Sequence, residues 1–562
     1  MFTFFSLALA LAPPVYSAPP NVVLIMTDDQ GFGDFGFLGA DVLRTPRLDR
    51  LAAESVRVDP FYVCPVCAPT RASLMTGRYH YRTGVTDTWV GRAMMAPDEV
   101  TIAELLRDAG YATGLFGKWH LGDCLPMRPQ DQGFERVLVH RGGGIGQPSD
   151  PVGAERKYTD PTLVDDGELR AFDGYCTDIY FEHARAFIDR ARRDQRPFFC
   201  VITTNAPHGP FHDVPPARLA DLLERTEDER AARIFAMIEN IDDNVGRLID
   251  HLDDERLSES TLVLFLNDNG PNGPGRSGPF RGQKTGVHEG GVRTPLLARW
   301  PGRFPAGHVV ERFGAHIDLL PTILEACDVD QPNDLRIDGR SLLPLLEARE
   351  VAWPDRSLVI QTHRGDRPLP LRHFFLRDRR FKLVHPTGFG GEGFEGEPRF
   401  ELYDLLDDPT ERTDLAADHP DIVSRMRATY DAWFKDVTAN RDYAPLPILV
   451  GDPRENPTTL TQQDWRTVAG GWGKNASGDW YVDVAEAATF DLSIRFPARD
   501  VPLVVTVDIG AVTRTLSVDV GAEECSIVAF PVEAGPTRVS IRLRAEGLEV
   551  GPHQVDLLRT SP

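Results

Sequence analysis

The stretch Cys64-Pro-Val-Cys67-Ala-Pro-Thr-Arg71-Ala-Ser-Leu-Met-Thr-Gly-Arg78 decides how the rest of the chain is read. Pro69 suits the first turn of a helix, where its missing N–H costs nothing. Ala72 to Met75 continue that helix, and Gly77 ends it. Cys67 then stands at the helix N-terminus, where unpaired N–H groups and the macrodipole favour negative charge. Arg71 lies one turn on, on the same face. Such a place would stabilise an anionic nucleophile or an anionic substrate. The plainer reading is a buried cysteine beside a surface arginine.

Outward from this stretch, four apolar runs end in polar groups. A strand over 21–27 stops at Asp28-Asp29, and one over 111–116 runs into Gly117-Lys118-Trp119-His120. A strand over 197–204 precedes Asn205-Ala-Pro-His208, and one over 261–266 stops at Asn267-Asp268-Asn269. Helical spacing at 48–56, 101–110, 176–193, 230–252 and 319–326 separates them, with Thr101 and Asp318 as N-caps. Strand–helix alternation predicts a sheet with parallel core strands, and ligands bind at the carboxyl ends of such strands. The oxygen donors gathered there are Asp28, Asp29, Asp268 and Asn269, without a Cys/His cluster. That is a hard-cation set, for Ca²⁺ or Mg²⁺ rather than zinc. Arg71, Lys118 and Lys284, with His120 and His208, supply positive charge for a tetrahedral anion.

Three patterns, C-x-P-x-R continued by L-x-T-G-R, G-K-W-H-L-G at 117–122 and G-x-K-x-x-x-x-E-G-G at 282–291, resemble those of the type I sulfatases. The match includes Cys67, Pro69, Arg71, Leu74, Thr76, Gly77 and Arg78, and the resemblance spans roughly residues 21–440. It implies an α/β, alkaline-phosphatase-like core with a mixed central sheet flanked by helices, and a small α+β C-terminal subdomain. It also implies that a maturation enzyme oxidises Cys67 to formylglycine, whose hydrate attacks a sulfate ester of a carbohydrate or aryl alcohol and releases inorganic sulfate. By position, Asp28, Asp29, Asp268 and Asn269 would hold Ca²⁺ (or Mg²⁺) together with the modified Cys67. Arg71 and His120 would hold the hydrate, and Lys118 and Lys284 the sulfate oxygens; His208 would protonate the leaving alcohol. Ala68 departs from the serine that many relatives carry there.

The 562 residues are 41% hydrophobic and 26% charged, with a formal net charge of −23, which argues against nucleic acid or an anionic membrane as partner. Attraction of an anionic substrate must therefore be local. Residues 1–18 read as a signal peptide lacking a basic n-region, so export to a periplasm or the medium is expected. The apolar run is too short to span a bilayer. The seven cysteines form no disulfide framework. We expect a catalytic unit over 19–350, a subdomain over 351–445 and an all-β sandwich over 446–562, the last with period-2 strands. The sandwich either binds carbohydrate through Trp472 or Trp480 or serves a structural role. The glycine-rich run 140–146 is assigned to the substrate side; His363 and Arg364 fall in a loop that either lies at the surface, the favoured reading, or reaches the pocket mouth to read a sugar. Two other readings stay open: a phosphodiesterase or phosphonate monoester hydrolase on the same scaffold, and a carbohydrate-binding protein with a dead site.

Overall fold

The structure is a computed structural model and describes residues 19–151, 157–273, 275–390 and 397–561. The segment read as a signal peptide lies outside the described residues. Among the described residues no helix is long and apolar enough to cross a membrane.

One mixed sheet organises the N-terminal part. Its strands are β1 (Asn21–Thr27), β2 (Val56–Tyr62), β3 (Ala112–Lys118), β4 (Arg136–His140), β5 (Thr162–Asp165), β6 (Glu168–Ala171), β7 (Phe198–Thr203), β8 (Thr261–Asn267), β9 (Arg293–Arg299), β10 (Val309–Val310) and β11 (Gly314–Ala315). They run in the order β10-β2-β9-β8-β1-β7-β3-β4-β5-β6, with β11 also on β2. The central neighbours β8, β1, β7 and β3 are all parallel, in a register that pairs Thr27 with Asn267, Met26 with Thr203 and Gly117 with Thr203. Their carboxyl ends therefore finish level. The four polar termini read in the sequence meet at one edge.

The period-2 alternation of β1 feeds two cores. Val22, Leu24 and Met26 face one with α2 (Cys67–Thr76), α3 (Ile102–Asp108) and α8 (Leu319–Ala326); Val23 and Ile25 face the other with α1 (Pro46–Glu54), α4 (Cys176–Arg193), α5 (Pro216–Arg225) and α6 (Glu229–Asp254). Thr101 caps α3 with a full capping box, as expected. Two expectations fail. The helix predicted over 48–56 stops at Glu54, and Val56 already belongs to β2, a strand hidden by Pro60 at a bulge between Val58 and Phe61. Asp318 does precede α8, but its carboxylate makes no cap bond there. It accepts from the Ala315 and Arg340 N–H groups, each at 2.8 Å, and pairs with Arg356, tying three segments together.

Four antiparallel strands, β12 (Leu358–Gln361), β13 (Phe374–Arg377), β14 (Phe381–His385) and β15 (Glu401–Asp404), pack with the helix Pro420–Val437 around a small core of their own. They are pinned to α7 (Glu289–Val292), which carries the E-G-G end of the Lys284 loop. The buried Lys382 ammonium sits 2.8 Å from both Glu289 and Glu411, and the Glu411 carboxylate accepts the Glu289 N–H at 2.7 Å. Burial pushes both carboxyls upward. Lys382, Arg293 and Arg377 outweigh it at Glu289 and hold that group low, whereas burial with the Glu289 charge lifts Glu411 to about 7 despite Lys382. A carboxyl raised on folding binds its proton more tightly in the native state. Stability therefore declines as pH rises from the ordinary value of 4.5 through about 7. Glu411→Gln should flatten that decline, leaving the melting temperature at pH 8 closer to that at pH 5; an unchanged slope would reject this reading.

The remaining chain forms a seven-stranded and a four-stranded sheet, as a β-sandwich requires. Its apolar core continues into the N-terminal part through Val90, Met94, Cys124 and Met127.

Candidate active site

The site is built from the parallel strand ends and the start of α2. The helix begins at Cys67 and ends at Gly77, whose φ of 66° and N–H bond to the Ser73 carbonyl make the expected left-handed stop. Thr70 donates to the Asp268 carbonyl at 2.8 Å, which fixes α2 against the end of β8. The Sγ of Cys67 and carboxylate oxygens of Asp28 and Asp268 all lie within 4.8 Å of one another. Gly117, at φ 121°, lets β3 press against β7, since a Cβ there would fall 1.8 Å from the Thr203 carbonyl oxygen. That closeness aims the next residue, Lys118, into the cluster. Asp29 and His120 adopt left-handed backbone at φ 64° and 63°, a strained choice that is characteristic of functional positions.

All ten residues singled out from the sequence fall in this one cluster. Each of three carboxylates meets one cation: Lys118 lies 2.6 Å from Asp28, Lys284 2.5 Å from Asp29 and Arg71 2.8 Å from Asp268. Arg71 also donates to the Lys118 carbonyl at 2.8 Å. Asn269 donates to Asp29 at 2.7 Å, and His208 Nε2 stands 3.8 Å from the same carboxylate. Asp28, Asp268, Lys118 and Arg71 are almost wholly buried, whereas the Lys284 and His208 side chains remain 15% and 16% exposed and so mark the open side.

Electrostatics follow from that burial. Burial and the Asp28 charge lift Asp268 to about 6, against Arg71 and Lys118. Asp29 is pushed up by burial but held below the usual range by Lys284 and His208. Burial raises the Cys67 thiol, and Lys118 and Lys284 do not reverse it. The helix N-terminus therefore does not yield the anionic sulfur that its position alone suggested. Burial lowers His208 to about 4 and His120 well below the ordinary imidazole value. Asp28 Oδ1, Asp29 Oδ2 and Asn269 Oδ1 are buried acceptors without a hydrogen-bond partner. Such orphans are costly unless a cation takes them, and an all-oxygen set suits Ca²⁺ or Mg²⁺. The residues present therefore fit a divalent ion.

Several contacts were not legible in the sequence. His120 Nε2 lies 2.7 Å from the Thr88 carbonyl, which also accepts from Gln463 of the sandwich at 3.1 Å. The glycine-rich run does reach the site. A Cβ on Gly143 would fall 2.6 Å from His120 Cε1, and one on Gly144 3.3 Å from His208 Nδ1. Gly143→Ala should therefore displace His120 and cost about 10²-fold in kcat with little change in melting temperature. Equal turnover by variant and parent would refute that packing argument. Trp480 is a correction: its ring is fully buried and donates to the Thr461 carbonyl at 2.7 Å, so it offers no sugar platform. Trp472 is partly buried, edge-on to Trp89 at 5.2 Å. His363 is also buried rather than on the surface, and its Nε2 accepts from the Leu369 N–H at 2.9 Å. Arg364 stacks on Trp89 at 4.9 Å and pairs with Asp87 at 3.5 Å.

Residues 20–329 match the family model "Sulfatase", and residues 280–432 match "N-sulphoglucosamine sulphohydrolase, C-terminal". N-acetylgalactosamine-6-sulfatase of Canis lupus familiaris is 34% identical over 376 residues, covering 62% of this chain and 69% of that protein. Arylsulfatase A of Homo sapiens is 35% identical over 369 residues, covering 61% and 70%. The crystal structure of Ps i-CgsB in complex with k-i-k-neocarrahexaose superposes with a TM-score of 0.67 at 25% identity, over 76% of this chain and 94% of that one.

Proposed function

The chain belongs to the sulfatase family and is a sulfuric ester hydrolase; from that premise we propose that it is an exported enzyme that desulfates a glycan through formylglycine at position 67 and a divalent cation held by Asp28, Asp29, Asp268 and Asn269. The observation that carries this reading is the one-to-one pairing of three carboxylates with Lys118, Lys284 and Arg71 around buried acceptors that lack partners. The pairing leaves the protein groups near neutrality. With Asp28 and Asp29 holding a dication, Lys118 and Lys284 would be released toward the oxygens of a sulfate group, and the net charge of the site would be positive. That reconciles an anionic substrate with a chain of net charge −23.

The cation, when bound, polarises the oxygen at position 67 and the sulfate. The buried thiol, held protonated, is a poor nucleophile, which supports its conversion to an aldehyde hydrate. One hydroxyl of the hydrate can attack sulfur, and the other can later expel sulfate. His120 donates from Nε2 to the Thr88 carbonyl, so its partnerless Nδ1 is an acceptor suited to a hydroxyl at position 67. His208 Nδ1 is engaged with the Gly209 carbonyl at 2.7 Å, which leaves Nε2, 3.8 Å from the Asp29 carboxylate, as the nitrogen turned to the cluster. Protonated there, His208 would deliver a proton to the leaving oxygen.

A glycan substrate is supported by the names of the matched N-acetylgalactosamine-6-sulfatase and of the carrahexaose complex. The test is turnover of an aryl sulfate against an aryl phosphate diester, after expression in a host with a formylglycine-generating enzyme. Preference for the sulfate and its loss on chelation are expected; preference for the diester would transfer the site to phosphoryl chemistry. His208→Ala should cost about 10²–10⁴-fold on an alkyl sulfate and far less on an aryl sulfate with an acidic phenol. Since the active form is protonated and burial lowers this group to about 4, kcat/KM for the alkyl ester should fall as pH rises above that value. Equal losses on both esters would remove His208 from the acid role.

A further inference from the structure

Away from the catalytic cluster, a cleft of about 520 Å³ opens where the edge of the central sheet meets the C-terminal subdomain. Its walls come from β2, the 308–313 and 345–356 segments and the end of β13. Six arginines line it, Arg293, Arg312, Arg349, Arg356, Arg377 and Arg379, against the carboxylates Glu311 and Asp355. In so acidic a chain, this local excess of cations stands out from the composition.

Four of the six are paired: Arg293 with Asp59 at 2.6 Å, Arg312 with Asp355 at 3.3 Å, Arg349 with Glu347 at 2.6 Å, and Arg356 with Asp318. Arg377 is different. It is 5% exposed, and its donors go to neutral oxygens: the Tyr62 hydroxyl at 2.7 Å and the carbonyls of Asp378 at 3.0 Å and Arg379 at 3.2 Å. The rings of Phe313 and Tyr62 flank its guanidinium at 4.5 and 5.2 Å and hold it in place. Arg379, exposed at the rim, forms no ion pair among the described residues. Its nearest counter-charge is Glu289, one hydroxyl away, since Tyr62 donates to that carboxylate at 2.9 Å; no carboxylate touches the guanidinium itself, and a guanidinium fork matches the geometry of an oxyanion. Clefts between packed units are common ligand sites.

We propose that this cleft is a second anion-binding site, in which Arg377 and Arg379 hold a sulfate or carboxylate group, carried on a glycan chain or free as inorganic sulfate. No residue of the catalytic cluster lines it, so the anion site goes beyond the hydrolytic reading; only its chain-borne form rests on the glycan substrate proposed above, and the selenate experiment does not.

Crystals of the full chain soaked in sodium selenate would report a sulfate-like anion by anomalous scattering, with the catalytic site as internal control. A peak beside Arg377 and Arg379 is expected, and its loss in Arg379→Ala, a substitution at an exposed position. In parallel, Arg379→Ala should raise KM for a sulfated hexasaccharide about ten-fold, the loss of roughly one charge-assisted hydrogen bond. The constants for a small aryl sulfate should stay unchanged. A KM change, with or without the selenate peak, assigns the site to a chain-borne group, and the peak alone assigns it to the free anion. A selenate peak in the catalytic site only, with KM unchanged for both substrates, would overturn the proposal.

Discussion

Replacing Cys67 with alanine is expected to lower sulfate-ester turnover by about 10⁵-fold, the scale of losing a covalent nucleophile, while the protein keeps its fold. The expectation of an intact fold rests on position. Cys67 is the first residue of α2, small and buried, and alanine removes only the atoms beyond Cβ, thiol or aldehyde oxygen, from a site whose ion pairs lie elsewhere. Cys67→Ser separates two roles of the oxidised residue. A serine has one hydroxyl, so it can accept the sulfuryl group but has no second hydroxyl with which to expel it. A burst of about one alcohol per active site with no sulfate release is therefore expected. Full-rate hydrolysis by either variant would remove position 67 from the chemistry.

Arg71→Met should produce the largest loss of stability among the site variants. The side chain is 2% exposed and donates from both Nε, at 3.2 Å, and Nη2, at 2.8 Å, to an Asp268 carboxylate that is wholly buried. Methionine fills comparable volume but leaves that carboxylate and the Lys118 carbonyl without their donor. Breaking a buried pair from one side typically costs about 3–5 kcal/mol. The expected readout is a clear fall in the first thermal transition of the metal-free protein, with turnover lost as well. Arg71→Lys should recover part of the stability but not the double donation to Asp268 Oδ2. A melting temperature within a degree of the parent would show that the Arg71–Asp268 pair is not a structural tie.

Much of the site was legible because its residues stand at strand ends. Asp28 and Asp29 follow β1, Lys118 ends β3 and Asp268 follows β8, and once those runs are parallel neighbours their termini must converge. Fixed motifs supplied Cys67, Arg71 and Lys284. The strands β2 and β9 were not read because Pro60 and Pro295 interrupt their patterns, and β4 because it is short. The partner of His120, and the second donor to that partner, were out of reach for another reason. The Thr88 carbonyl and Gln463 lie 32 and 375 residues from the groups they touch, and no local pattern encodes such meetings. Trp480 was left open by its sequence, since a large aromatic in a β domain reads equally as platform and as core, and its burial decides for core.

The most direct test of the account is the mass of the peptide containing Cys67, taken from active protein made in a host that can carry out the conversion. An aldehyde in place of the thiol is expected, detected as the corresponding loss of mass and as reaction with a carbonyl reagent. An intact thiol at position 67 in a fully active preparation would contradict it.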